Sequence, residues 1–172
     1  MLIKFIPLLL ILIVFQRFYQ RYWRPWHRYT WQQRVTVVSA NIYALCALTL
    51  VFMPALFPLS FSHFHYQYTT IGRAIVILKP YQVLDSQQFF NVLITFPAGV
   101  YFALFSKKTT SWKVVFGVAL GIGLMNESGQ FLLDQIVGLG RSVAGDDLIN
   151  NAFGCLIGFF ISIKLPLSKF NL

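Results

Sequence analysis

The sequence predicts an all-α, polytopic helical membrane protein with about five transmembrane helices, organised as a single domain over residues 1–172. Three observations predict it. The chain is 57% hydrophobic and only 11% charged, less than half the charged share of a soluble domain. Its apolar residues come in continuous runs rather than in the alternation of a barrel strand. Its basic residues cluster between those runs. In lipid each backbone amide must be satisfied within its own segment, so continuous apolar runs become helices.

Residues 2–15 form the first expected span, broken only by Lys4 and Pro7. One lysine is a poor signal-peptide n-region, and no A-x-A-like site follows. The run therefore reads as an uncleaved helix of about 21 Å at 1.5 Å per residue. Residues 16–34 carry Arg17, Arg21, Arg24, Arg28 and Arg34 with no acid, interleaved with Trp23, Trp26, Tyr29 and Trp31. Basic residues among aromatics also suit RNA. Between two spans they read instead as a basic cytoplasmic loop on the membrane surface, and no nucleic-acid partner is expected.

Residues 35–59 make the second span, ended by Pro54 and Pro58. Residues 60–88 are mixed in character. Ile71 to Leu78 is too short to cross and reads as a re-entrant or interfacial piece. His63 and His65 have no thiol or carboxylate nearby, so no metal is expected, and no cofactor-binding motif appears. Cys46 and Cys155 both lie in apolar runs and read as helix-packing residues.

Residues 89–105 are the third span. Pro97 removes a backbone hydrogen bond there, leaving a carbonyl near Phe96 to be met by a neighbour. Residues 114–133 and 147–163 are the fourth and fifth. With five spans, the clusters 16–34, 107–113 and 164–169 fall on one side and hold ten of the fourteen basic residues. The positive-inside rule then places the N-terminus outside and the C-terminus in the cytoplasm of a cell membrane.

The chemistry concentrates between Gly121 and Gly158, which holds four of the five acids: Glu127, Asp134, Asp146 and Asp147. Glu127 and Gln130 share one helix face, and Asp147, Asn151 and Gly154 share another. Asp146 or Asp147 can cap the fifth helix. Glu127 lies about 21 Å along the helix from Lys113, in the outer third of the membrane. GxxxG steps at Gly117–Gly121 and Gly154–Gly158 would bring the two faces together. Arg141, in the glycine-rich connection, would then sit among carboxylates, in a polar pocket that opens outward and binds an anionic group. Two other readings stay open. One is a buried network that locks the helices, with Arg141 neutralising Glu127 or Asp147. The other is a carboxylate pair doing acid–base work, though no nucleophile with a nearby histidine is evident.

Three blocks of this sequence resemble the VanZ-like family of bacterial membrane proteins. Asn91 to Gly99, NVLITFPAG, is similar to the family's N-x-x-x-F-x-P-x-G, with Thr95 in place of Phe. Glu127-x-x-Gln130 resembles its E-x-x-Q. Gly140-Arg141 followed by Asp147-x-x-x-Asn151-x-x-Gly154 resembles its G-R and D-x-x-x-N-x-x-G, with Ala144 where an Asp is frequent. These motifs lie within 91–158. The resemblance implies a multi-pass membrane protein that affects susceptibility to teicoplanin-type glycopeptides. It implies Glu127, Gln130, Arg141, Asp147 and Asn151 as the ligand-binding set, supported by Asn91, Pro97, Gly99 and Gly154. It sets Asp134 and Asn150 aside. The expected partners are the lipid bilayer and a cell-surface lipid or lipoglycopeptide. The alternatives are a membrane-embedded enzyme on envelope lipids, with Glu127 or Asp147 as base, and a non-catalytic partner subunit.

The charge count makes a direct prediction. A compartment-sensitive reporter fused after Leu172 should be active only in the form that works in the cytoplasm; activity on the outer side would overturn the topology.

Overall fold

The computed structural model describes residues 16, 26–52, 67–82, 86–106, 110–167 and 170. A 3-10 turn at Trp26–Arg28 leads into α1 (Trp31–Phe52). Then come β1 (Thr69–Ile71), β2 (Ala74–Ile77), α2 (Ser86–Phe105), α3 (Trp112–Val137), β3 (Ser142–Ala144) and α4 (Gly145–Ser162). The expected first span, His63, His65, Pro54 and Pro58 lie outside the described residues.

Local chemistry sets the helix ends. Thr30 and Gln33 form a reciprocal cap on α1: the Gln33 N–H donates to Thr30 Oγ1 at 3.3 Å, and the Thr30 N–H donates to Gln33 Oε1 at 3.0 Å. The helix therefore begins at Trp31, four residues before the apolar run suggested. Ser111 caps α3, accepting from the Lys113 N–H. Gly138, at φ 62°, ends it in the left-handed conformation and returns its N–H to the Asp134 carbonyl at 3.1 Å. Thus α3 extends beyond residues 114–133 at both ends, and α4 starts two residues before the expected 147.

The fold is mostly helical but not all-α. The strands form one sheet in the order β1-β2-β3, antiparallel between β1 and β2 and parallel between β2 and β3. The segment expected to be re-entrant or interfacial is this hairpin. Its β-branched residues flank Gly72, whose φ of 61° suits a two-residue turn. The Gln135 amide at the end of α3 holds it, donating to the Ile71 carbonyl at 2.6 Å and accepting the Arg73 N–H at 3.2 Å.

Among the described residues two helices, α1 and α2, are long and apolar enough to cross a membrane. Those expected as the fourth and fifth spans, α3 and α4, carry the acids and do not meet that test. The closest packing is between α2 and α4. It depends on glycine: a Cβ on Gly99 would overlap the Cys155 carbonyl, one on Gly154 the Val92 carbonyl and Thr95 Oγ1, and one on Gly158 the Phe96 carbonyl. The expected pairing of two GxxxG steps is not what forms. Gly117 and Gly121 face open space, and α3 approaches α4 through Gly123, against the Leu148 carbonyl. Pro97 sits inside α2 as expected. The carbonyl that lacks its helical donor is that of Leu93 rather than one near Phe96, and the Tyr43 hydroxyl of α1 donates to the next carbonyl along, that of Ile94, at 2.7 Å.

The helices alternate in direction. The end of α1, the start of α2, the end of α3 and the start of α4 meet at one end of the bundle, together with the sheet. At the other end Thr36 near the start of α1 donates to the Phe170 carbonyl at 3.1 Å.

Close approach and open space give opposite expectations for the same substitution. Gly99→Ala should destabilise the detergent-solubilised protein by about 1–3 kcal/mol, because a backbone carbonyl cannot swing aside. Gly117→Ala should be neutral or stabilise by up to about 1 kcal/mol through helix propensity. Equal melting temperatures for the two variants would overturn the assignment.

Candidate functional site

Buried polar residues on two helices build the site. On α3, Glu127, Gln130 and Asp134 continue the stripe begun by Val115, Ala119 and Gly123, and all are buried. The spacing puts Asp134 on the same buried face as the motif pair, a placement the family pattern alone does not mark. On α4, Asp147, Asn150, Asn151 and Gly154 are buried in the first three turns. Asn150 therefore also belongs to the buried set.

Each group has a defined position. Asp147 accepts the Gln87 amide on Oδ2 at 2.6 Å and the Asn91 amide on Oδ1. Asp146 accepts the Gln88 amide at 2.8 Å. Gln87 and Asn91 are four residues apart, one turn of α2, so both reach the same carboxylate. Neutral amide donors thereby hold two acids in the first turn of α4, where the helix dipole also favours negative charge. Residue 144, at the N-cap position of α4, is alanine and supplies no side-chain cap. Glu127 compensates from α3: its Oε2 accepts the Ala144 N–H at 3.0 Å.

The other two motif donors act on α1. Gln130 Nε2 donates to the Val51 carbonyl at 3.2 Å, and Arg141 Nη2 donates to the Leu50 carbonyl at 2.9 Å. Both carbonyls belong to the last described turn of α1, and four residues after Leu50 the sequence has Pro54, which carries no N–H. A guanidinium also complements the negative end of that helix. Burial pushes the Arg141 guanidinium below its ordinary range, while Asp147, Asp134 and Glu127 act in the opposite direction.

The structure thus brings Glu127, Gln130, Arg141 and Asp147 to one end of the bundle, with Asn151 buried one turn beyond Asp147. Asn91 joins them directly, and Gly99 and Gly154 set the distance between α2 and α4. Pro97 lies deeper. None of the five lines either of two apolar cavities: one of about 60 Å³ between α1, α2 and α3, beside Tyr43 and Val51, and one of about 360 Å³ along the outer face of α4, by Phe153 and Lys164. Among the described residues no group of His, Cys, Asp and Glu is placed to hold a metal ion.

Sequence reasoning missed Gln87 and Gln88, which hold the two acids, and Tyr81, whose hydroxyl donates to Asn150 Oδ1 at 3.4 Å. The i, i+4 spacing of Gln87 and Asn91 was visible. Its meaning depended on knowing that α2 faces the start of α4. Among the described residues three buried polar atoms at this end have no hydrogen-bond partner: Asp134 Oδ2, Arg141 Nε and Asn150 Nδ2.

A family model described as VanZ/LLP1 matches residues 3–166, far beyond the stretch 91–158 that carries the motifs. No curated protein and no solved structure matches the chain.

Removing the tie between α3 and α1 tests the site's architecture. Gln130→Leu leaves the Val51 carbonyl without its donor and should cost about 1–3 kcal/mol in thermal unfolding. Hydrogen exchange should rise selectively in the last turns of α1; unchanged protection there would count against this role for Gln130.

Proposed function

The chain belongs to the VanZ/LLP1 family, and from that premise we propose that it is a multi-pass cell-membrane protein that alters susceptibility to glycopeptide antibiotics of the teicoplanin type. The observation that carries the reading is a family match over nearly the whole chain, with the motif residues converging at one end of the bundle. Glu127, Gln130, Arg141, Asp147 and Asn151 form an outward-facing polar site in this reading, and Arg141 receives an anionic group of a cell-surface lipid or lipoglycopeptide. The N-terminus lies outside and the C-terminus in the cytoplasm. Two structural features support that orientation. The described acids all gather at the site end, and Arg28, Arg34, Lys113 and Lys164 all lie at the opposite end.

The chemistry asked of the site is recognition. Arg141 is half-buried in a low-dielectric setting, where a charge-assisted contact to a carboxylate or phosphate is stronger than in water. With Glu127, Asp134 and Asp147 beside it, Arg141 offers an arriving anion one guanidinium edge rather than a broad positive field. Glu127 and Asp147 organise the start of α4 and the position of α2, and so fix the frame in which Arg141 works.

Conservative variants separate function from architecture. Expression of the wild-type chain in a susceptible host should raise the minimal inhibitory concentration of teicoplanin. Glu127→Gln retains an oxygen to accept the Ala144 N–H. Asp147→Asn can be met by turning over one facing amide. Both should therefore accumulate in the membrane at wild-type levels while losing the shift in susceptibility. Failure of both to accumulate would favour a purely structural network, and no shift with the wild type would sink the proposal.

A further inference from the structure

Asp134 stands out among the groups that the motifs leave unused. It is 1% exposed, on a chain with only five acids. Its backbone carbonyl accepts the Gly138 N–H at 3.1 Å, and its Oδ1 accepts the Gly140 N–H at 2.8 Å. One residue therefore fixes both left-handed glycines of the turn, at φ 62° and 74°. The residue that follows Gly140 is Arg141. The second oxygen, Oδ2, is buried with no partner, and so is Arg141 Nε. A buried acceptor and a buried donor of opposite charge, each unmatched, sit on residues joined through one short turn. Leaving both unmatched is expensive, and pairing them would satisfy both.

We propose that Asp134 is the positioning residue of Arg141: one carboxylate oxygen pins the turn that carries the arginine, and the other anchors Nε. With Nε on Asp134 and Nη2 on the Leu50 carbonyl, the guanidinium plane is fixed by two points. Its remaining N–H edge then meets an anionic head group without the loss of side-chain freedom that an untethered arginine would suffer. This rests on the reading of Arg141 as the anion-binding residue.

The test uses the full-length protein in a susceptible host and in detergent. Asp134→Asn keeps an oxygen for the Gly140 N–H but sets an amide donor against Nε. It should accumulate normally and lose the teicoplanin shift as completely as Arg141→Gln, with the double variant no worse than either. Retention of the shift by Asp134→Asn, where Arg141→Gln loses it, overturns the proposal. Arg141→Lys keeps the charge but has no Nε, and should lose the shift with Asp134 intact; retention again overturns it. A wild type without any shift would refute the functional reading alone. The tether is then decided by thermal unfolding of the same four proteins: losses shared between the two single variants support it, and strictly additive losses overturn it.

Discussion

The structure depends on burying the carboxylate of Asp147 at the start of α4. An ionised carboxylate in an apolar bundle is tolerated only when its oxygens are fully met. Here α2 meets them with amides from Gln87 and Asn91, which add donors without adding charge. Amide side chains are short, so the arrangement requires α2 and α4 to run nearly backbone to backbone. Gly99, Gly154 and Gly158 allow it, since a Cβ at any of them would overlap backbone across the interface. Polar pairing and glycine packing are therefore a single constraint: loosen the glycine contacts and Asn91 no longer reaches Asp147; remove the carboxylate and two half-buried amides lose this acceptor.

The attachment of α1 follows a different logic. It has few close contacts with α2 and α3 compared with the α2–α4 pair. What fixes it is polar: Tyr43 on the Ile94 carbonyl, and Gln130 and Arg141 on its C-terminal carbonyls. Side chains from α3 and the turn beyond it donate to carbonyls in the last described turn of α1. The candidate site is thus also the joint that holds α1. A ligand that took Nη2 of Arg141 would compete with the Leu50 carbonyl, so binding and the docking of α1 would be linked through one guanidinium.

Much of this was legible in the sequence, and the failures have physical causes. Helices were readable because apolar runs in lipid have no alternative. Their ends were not, because Thr30 with Gln33, Ser111 and Gly138 set them through capping rather than hydropathy. The Glu127–Gln130 face and the family blocks fall where α3 and α4 bury their polar groups, and the periodicity that includes Asp134 is present in the sequence but lies outside the motif. The hairpin is not legible from span length, because residues 69–77 are too few to cross a membrane and length alone does not separate strand from helix. Their β-branched residues around Gly72 carry the strand signal. The GxxxG step at Gly117–Gly121 misled because small residues say that close approach is possible, not which helix makes it.

Charge counting and the fold draw on independent information, yet they sort the residues in the same way. The count uses only position between apolar runs. The fold uses hydrogen bonds such as Arg141 to Leu50 and Thr36 to Phe170, which fix which helix ends lie together. By contacts alone, Glu127, Asp134, Asp146 and Asp147 fall at one end with Arg141, and Arg28, Arg34, Lys113 and Lys164 fall at the other with no described acid. The acid end also carries the buried start of α4, where dipole and amides stabilise negative charge. In the proposed orientation the cation-only end meets the anionic inner leaflet and the acid-bearing end faces outward, which is the arrangement that the fields orienting membrane helices favour.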